Sequence, residues 1–211
     1  MTALLILAKE PVPGRVKTRL CPSCSHEQSA ALAEAALADT LLAVASTSVR
    51  RRVLVLAGRP GPWLPPGFEV LPQRGRGLDD RLAAAFHDVG EPAVLIGMDT
   101  PQVTPALLER ATGALERFQA VLGPAADGGF WAVGLRRADA RAFAGVPMSR
   151  AVTGHLQARR LRAMGLVTSF LPTLRDVDTI DDVRAVARLA PGTHFARRAR
   201  ETLPQPTAAF R

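Results

Sequence analysis

A short basic segment between residues 9 and 20 carries the side chains best suited to holding phosphate. Arg15, Lys17 and Arg19 supply positive charge, Thr18 supplies a hydroxyl donor, and Gly14 lets a ligand approach the backbone closely. Both lysines of the chain fall in this segment, where a compact ammonium acts as a point charge on phosphate. Because the segment follows the apolar run LLILA, we predict a triphosphate-holding loop after a buried strand. An ordinary solvated loop in an arginine-rich protein is the alternative.

Two further polar positions also follow apolar runs. Asp99 ends the run AVLIGMD, and a single carboxylate there suits Mg²⁺, which takes one or two carboxylates and leaves its other positions to phosphate and water. The alternative is a carboxylate that forms turn hydrogen bonds before Pro101. Asp127 is followed by Gly128 and Gly129, which a plain hairpin turn would explain equally well.

The segment LRDVDTIDDV holds four acids around a predicted helix start. Asp176 and Asp178 precede Thr179, and Asp181 and Asp182 follow it. Carboxylates in the first turn of a helix stabilise its dipole, so we assign Asp181 and Asp182 that structural role.

A weaker candidate is the segment around Gln73 and Gly77. The Gln73 amide could bind the edge of a base, and Gly75 and Gly77 would let a ligand lie against the backbone. A surface turn explains the same residues.

Several other chemistries lack the residues they need. Cys21 and Cys24 form one CPSC element, but a zinc site needs two more ligands that the nearby sequence does not supply. The four histidines share no spacing, and no G-x-S-x-G motif occurs. Hydrolase-triad and zinc chemistry are therefore disfavoured.

The net charge of +8 invites a nucleic-acid-binding interpretation. The arginines are spread along the chain, however, and aromatic residues make up only 5%, so stacking platforms are scarce. A basic nucleic-acid-binding protein is thus the less favoured alternative. With no uninterrupted apolar run of membrane-spanning length and no signal-peptide pattern, we predict a cytoplasmic protein without membrane partners. The oligomeric state stays open.

Apolar runs alternate with segments of helical period, which predicts a single α/β domain with a three-layer α/β/α arrangement and a mostly parallel sheet. We expect the domain to cover residues 1–190, followed by a peripheral tail over 191–211, where proline, arginine and threonine dominate. Strands are predicted at 4–8, 53–57, 93–97, 120–122, 130–135 and 166–171. Helices are predicted near 26–47, 78–88, 105–118, 149–164 and 180–190.

Taken in order, AKEPVPGRVKTRL, QRGRGLDDRL, GMDTPQVTPALL, LGPAADGGFW and DVDTIDDV resemble an uncharacterised bacterial family of GT-A-like proteins related to 2-phospho-L-lactate guanylyltransferase. The resemblance covers residues 4 to 190 and is specific as an ordered set. It implies the nucleotide-diphospho-sugar transferase fold, which includes both nucleotidyltransferases and glycosyltransferases.

The resemblance also implies roles for individual residues. Arg15, Lys17 and Arg19 would hold nucleotide phosphates, Asp99 and Asp178 would share Mg²⁺ or Mn²⁺, and Asp127 with its two glycines would face the acceptor. The expected activity joins a nucleoside triphosphate (NTP) to a small phosphorylated acceptor with release of pyrophosphate. Lys17, Arg15 and Asp99 are the predicted catalytic residues. A GT-A glycosyltransferase using a nucleotide-sugar is the alternative.

Overall fold

A seven-stranded sheet forms the centre of the computed structural model, which describes residues 2–203. The strand order is β3-β2-β1-β4-β6-β5-β7, and every neighbouring pair is parallel except those made by β6, which is antiparallel to β4 and β5. The strands are β1 Ala3–Lys9, β2 Arg52–Ala57, β3 Glu69–Pro72, β4 Ala93–Gly97, β5 Ala120–Pro124, β6 Phe130–Leu135 and β7 Thr168–Phe170.

Helices cover both faces of this sheet, as predicted. They are α1 His26–Ala45, α2 Leu78–Val89, α3 Pro105–Arg117, α4 Thr153–Ala163, α5 Ile180–Leu189 and α6 His194–Thr202. Alternate residues of β1 point to opposite faces, so Leu4 and Ile6 pack against α1 and α3, whereas Leu5 packs against α2 and α4. The predicted three-layer α/β/α fold is therefore confirmed.

The predicted helix starts are formed by side-chain oxygens. Ser25 and Thr179 accept hydrogen bonds from the third helical N–H, and Gln28 and Asp182 return bonds to the capping residues. Thr104 caps α3 directly before Pro105. These caps fix where α1, α3 and α5 leave the sheet edge.

Helix α1 is long and apolar enough, by length and composition, to cross a membrane. In the fold, however, 61% of its most apolar 18-residue stretch is buried. The helix lies between the sheet and an outer layer made by α5 and α6. The length and hydrophobicity of α1 thus match the needs of a core helix that is covered on two sides.

The C-terminal segment differs from the sequence prediction, which ended the domain at residue 190 and placed a peripheral tail over 191–211. Residues His194–Thr202 form α6, and Phe195 is fully buried against Leu32 and Ala36 of α1. Phe195 and Ala199 lie one helical turn apart, so even this arginine-rich sequence presents an apolar stripe to the core. The domain extends at least to residue 203, and residues 204–211 lie outside the described part of the chain.

Asp39 of α1 fixes the start of α6. Its carboxylate accepts hydrogen bonds from the backbone N–H groups of His194 and Phe195, at 3.0 and 2.8 Å, and lies 2.8 Å from His194 Nδ1. Asp39→Ala is expected to lower the free energy of unfolding by about 2 kcal/mol, because it leaves buried donors unpaired. Urea denaturation measures the loss, and limited proteolysis should cleave the variant near α6. Glu34→Ala, at an exposed position on the same helix, should change neither; equal stability of the two variants would contradict the prediction.

Candidate active site

The predicted site residues meet at one edge of the sheet. Parallel β1 and β4 end there, and antiparallel β6 begins there, so the loops that follow β1, β4 and β5 all open onto the same side. They enclose a cavity of about 690 Å³, a size typical of small-ligand sites. Among its lining residues are Arg15, Lys17, Thr18, Arg19, Gln73, Asp99, Asp127, Gly129 and Asp178. The other predicted residues, Gly14, Gly77 and Gly128, do not line this cavity and lie in the adjoining turns.

Lys17 points away from solvent, with 8% of its side chain exposed. Its ammonium lies 2.9 Å from Asp99 Oδ1 and 3.2 Å from Asp178 Oδ1, and it donates a hydrogen bond to the Val177 carbonyl. The Asp99 contact is an ion pair outside hydrogen-bond geometry, so Oδ1 accepts no hydrogen bond from the described residues. Burial alone would lower the pKa of Lys17, but the two carboxylates outweigh it and raise the pKa above its ordinary value.

This arrangement differs from the prediction that Lys17 offers a free charge to phosphate. An ammonium has three N–H donors, and three oxygen atoms already surround this one. The position between Asp99 and Asp178, which the prediction gave to a metal ion, is thus taken by the Lys17 ammonium.

The segment 174–178 brings a further acid to the site. Leu174 pairs with Ala125 beyond the end of β5, and Val177 N–H donates to the Asp99 carbonyl at 3.0 Å. This extended segment is therefore held between the ends of β5 and β4, so residues two apart face the same way. Carboxylate oxygens of Asp127, Asp176 and Asp178 all lie within 4.8 Å of one another.

The three carboxylates fit a divalent cation. Burial, followed by repulsion from Asp127 and Asp178, raises the pKa of Asp176 to about 6, which indicates that negative charge is crowded there. Carboxylate oxygens are the ligands that Mg²⁺ and Mn²⁺ prefer, and a cation would relieve the repulsion. Asp178 belongs to this acidic cluster as well as to the Lys17 ion pair, whereas Asp99 belongs only to the latter.

The basic loop covers one side of the acidic cluster. Arg19 pairs with Asp178 at 2.9 Å, but 72% of its side chain is exposed, so it is free to turn toward a ligand. Arg15 is exposed and makes no side-chain hydrogen bond or ion pair within residues 2–203. Gly14 has φ +75°, which a residue with a Cβ rarely adopts, and so allows the tight turn before Arg15. The loop thus holds two available guanidinium groups beside the acids.

Gln73 and Gly77 lie in the turn between β3 and α2. The Gln73 amide donates to the Ala8 carbonyl at 2.7 Å and to the Val55 carbonyl at 3.2 Å. Both donors are thus used by the β1 and β2 backbones, which leaves only Oε1 to a ligand, and binding of a base edge by Gln73 stays a prediction. Gly77 is the N-cap residue of α2, where a glycine has no side chain to cap the helix.

The Asp127-Gly128-Gly129 turn packs directly on the start of α4. Gly154 N–H donates to the Gly128 carbonyl at 2.8 Å, and a Cβ on Gly128 would lie 1.9 Å from the Ala151 carbonyl oxygen. Gly128 is therefore required by close backbone contact. The contact fixes Asp127 relative to the turn over residues 147–153, which forms another wall of the cavity.

Thr153 holds that turn together. Its hydroxyl is buried, donates to the Pro147 carbonyl at 2.8 Å and accepts from Arg150 N–H at 3.0 Å. Thr153→Val keeps the shape and removes both bonds, so we expect the free energy of unfolding to fall by about 1–2 kcal/mol. Chemical denaturation measures this, with Val152→Thr at the exposed neighbouring position as the control. A Thr153→Val protein as stable as wild type would show that the two bonds contribute nothing.

Three residues of the site were not identified from the sequence. Asp176 was noted only as an acid before a helix, although its spacing of two from Asp178 is the signal that could have placed it in the cluster. Arg81 and Arg150 line the cavity but lie within arginine-rich surroundings that give no local signal.

The fold and the site place the chain among proteins with the nucleotide-diphospho-sugar transferase fold. A crystal structure of a candidate nucleotide-diphospho-sugar transferase from Desulfovibrio desulfuricans G20 is 26% identical, with a TM-score of 0.85 and 95% of each chain covered. The 2-C-methyl-D-erythritol 4-phosphate cytidylyltransferase from Thermus thermophilus is 16% identical, with a TM-score of 0.54, covering 90% of this chain and 100% of its own. These structural neighbours are transferases of nucleotidyl or sugar-nucleotide groups.

The chain itself belongs to a bacterial family described as "Uncharacterized protein conserved in bacteria (DUF2064)", which it matches over residues 29–150. The membership confirms the bacterial family and superfamily expected from the ordered motifs, whereas the relation to the guanylyltransferase stays a prediction. A Mycobacterium tuberculosis H37Rv protein, Rv0371c, solved as a complex with manganese, is 21% identical with a TM-score of 0.50, covering 88% of this chain and 96% of its own. No curated protein sequence matches the chain.

Proposed function

We propose that this protein is a nucleotidyltransferase that uses Mg²⁺ or Mn²⁺ to join an NTP to a small phosphorylated acceptor, releasing pyrophosphate. The observation that carries the proposal is the meeting of the basic loop and the acidic cluster in one cavity. A triphosphate presents several negative charges close together, and a site for it needs cationic groups and a place for a divalent cation side by side. The cytidylyltransferase and the manganese complex of the same fold agree with this assignment.

In the proposed reaction, an oxygen of the acceptor phosphate attacks the α-phosphorus of the NTP. The bond between the α-phosphorus and the bridging oxygen to the β-phosphate breaks, and pyrophosphate leaves with that oxygen. An acceptor phosphate is already anionic, so the site needs no strong general base. Its work is positioning the two substrates and neutralising charge.

The residues of the site divide this work. Asp127, Asp176 and Asp178 would hold the divalent cation, which when bound supplies positive charge against the triphosphate. Arg15 and Arg19 would bind the phosphates that leave. Lys17 stays paired with Asp99 and Asp178, which holds the Asp178 carboxylate in place at the wall of the cavity.

The test is a pyrophosphate-release assay with each of the four NTPs, Mg²⁺ or Mn²⁺, and a panel of phosphorylated acceptors. We expect release that needs both an acceptor and a divalent cation, and that falls at least tenfold in Arg15→Ala. Arg159→Ala, an exposed arginine that does not line the cavity, serves as the control. Absence of pyrophosphate release in every combination would overturn the proposal.

A glycosyltransferase that uses a nucleotide-sugar is the second candidate. It is favoured by the description of the 26%-identical Desulfovibrio desulfuricans relative, and by the two acids of Asp176-Val177-Asp178, since an Asp-x-Asp pair suits a cation bound to a diphosphate. Release of a nucleoside diphosphate from a nucleotide-sugar, without activity on any NTP, would establish this candidate in place of the first.

A further inference from the structure

We infer that Arg81, oriented by Gln73, binds an anionic group of the acceptor on the wall of the cavity opposite the basic loop. The inference rests on the proposed function, because it assigns the second substrate of that reaction. It also predicts the chemical class of this substrate: a small molecule with an anionic group in addition to the phosphate that reacts.

The cavity has two walls that belong to opposite faces of the sheet. Val16 of the basic loop packs into the core between the sheet and α1, so the loop belongs to the α1 side. Leu82, which follows Arg81, packs into the other core together with Phe143, and the partly buried Phe130 and Met148 lie against the same core. Arg81 and the 147–153 turn therefore form the α2 and α4 side of the cavity.

Arg81 is partly buried and has no carboxylate partner among residues 2–203. Its guanidinium lies 3.4 Å from the Gly75 carbonyl and 3.5 Å from Gln73 Oε1, both long for N–H···O hydrogen bonds. A guanidinium has five N–H donors, so most of them stay available to a ligand. A partly buried cation without a counter-charge is a binding position for an anion, since pairing removes much of its desolvation cost.

Gln73 gives this arginine its place. Its amide nitrogen is bonded to the β1 and β2 backbone, which leaves Oε1 as the atom that faces Arg81. A side chain anchored in this way loses little freedom when its neighbour binds a ligand. Gln73 is therefore a positioning residue for Arg81, which explains why an amide occurs at the end of β3.

Arg150 adds a second cation at the rim of the same wall. It is exposed, lines the cavity and makes no side-chain ion pair within the described residues. Phe130 and Met148 also line the cavity and pack on the same core, which gives this wall an apolar part. A small acceptor with a short carbon chain and anionic groups matches this combination of surfaces.

The acceptor is favoured over the nucleotide because the two walls belong to opposite faces of the sheet. Arg15 and Arg19 already place two cations on the loop wall for the triphosphate, and the attacking phosphate must approach the α-phosphorus from the side away from the leaving pyrophosphate. The wall on the α2 and α4 side is therefore the one left to bind the acceptor.

The test uses inorganic phosphate as the probe and isothermal titration calorimetry as the measurement. Four proteins are compared: wild type, Arg159→Ala, Arg81→Ala and Arg15→Ala. Phosphate is titrated into each in the presence of saturating NTP and Mg²⁺, and each NTP is titrated in a separate experiment without phosphate. We expect Arg81→Ala to weaken phosphate binding at least tenfold while NTP affinity changes less than twofold, and Arg15→Ala to show the opposite pattern. Arg159→Ala should match wild type. Phosphate titrated without nucleotide gives the same comparison if no NTP binds, so failure of the proposed function does not decide this test.

A double-mutant cycle tests the positioning role. Gln73→Ala should weaken phosphate binding three- to tenfold in wild type and have no further effect in the Arg81→Ala background. Arg81→Lys, which keeps the charge, should bind phosphate with intermediate affinity and guards against a general loss of folding. Unchanged phosphate affinity in Arg81→Ala, or a tenfold loss of NTP affinity in its place, would overturn the inference.

Discussion

Asp176→Asn is expected to abolish function while making the cation-free protein more stable. The substitution removes one of the three clustered carboxylates, so we expect affinity for Mn²⁺ to fall at least tenfold and turnover to fall on the order of 10²–10³-fold. Asp176 has no ion-pair partner among residues 2–203, so its neutralisation leaves no charge unpaired.

The direction of the stability change follows from the pKa of Asp176. That pKa is raised from 3.8 to about 6 in the folded protein, so ionisation of this carboxyl disfavours folding. The cost is absent below pH 4, grows as the pH rises toward 6 and is complete at pH 7. Asparagine removes it, and we expect the Tm at pH 7 without metal to rise by about 2–4 °C.

Two measurements separate these effects. Calorimetric titration with Mn²⁺ reports the affinity, and differential scanning calorimetry at pH 4 and pH 7 reports stability. Asp181→Asn, an acid from the same segment with 89% of its side chain exposed, is the matched control: it should leave Mn²⁺ affinity unchanged and should not raise the Tm, because Asp181 stabilises the start of α5. A variant that binds Mn²⁺ as wild type does, or that is less stable at pH 7, would contradict the assignment of Asp176.

Lys17→Met should destabilise the fold by about 1–3 kcal/mol. A methionine has a similar volume but leaves the Asp99 and Asp178 carboxylates facing each other without the ammonium between them. Removal of the buried cation leaves two carboxylates close together without a counter-charge, and their partial exposure to solvent lowers this cost below that of a fully buried pair. Because the Lys17 ammonium holds the two carboxylates of the site, we expect Lys17→Met to lose turnover as well as stability.

The direction of the Lys17 pKa shift also determines how this loss of stability depends on pH. The pKa of Lys17 is raised above its ordinary 10.5, so its contribution is fully present below that value and is lost only as the pH rises through the higher folded-state pKa. Urea denaturation at pH 7 and pH 9 should thus give the same difference between wild type and variant. Lys9→Met, at the only other lysine of the chain, is exposed and serves as the control. A loss under 1 kcal/mol would show that the ion pair does not hold the segment 174–178.

The parts of the fold that depend on local sequence were predictable. Apolar runs of strand length and oxygen-bearing caps at Ser25, Thr104 and Thr179 placed most of the strands and helices within a few residues. The sheet-edge rule likewise brought the basic loop and Asp99 to one cavity. These signals are local because caps and periodicity are properties of short segments.

The partners of the site residues were not predictable, because they come from distant parts of the chain. Lys17 faces Val177 and Asp178, about 160 positions away, and their placement depends on the hydrogen bond from Val177 N–H to the Asp99 carbonyl. The sequence predicts Gln73 as a ligand-binding amide, and only the structure shows that its two N–H donors are bonded to the backbones of β1 and β2. The arginine-rich α6 has a composition typical of a solvated tail, and only its contact with α1 shows its apolar stripe.

The late position of the segment 174–178 in the chain has a consequence for biosynthesis. Asp176 and Asp178 are added after every strand of the sheet, since β7 ends at Phe170. A chain emerging from the ribosome would therefore assemble its whole sheet before it could bind a cation or close the ion pair at Lys17. A chain truncated between residues 171 and 175 should therefore retain every strand of the sheet but lack both acids, which separates the acquisition of structure from that of activity in time.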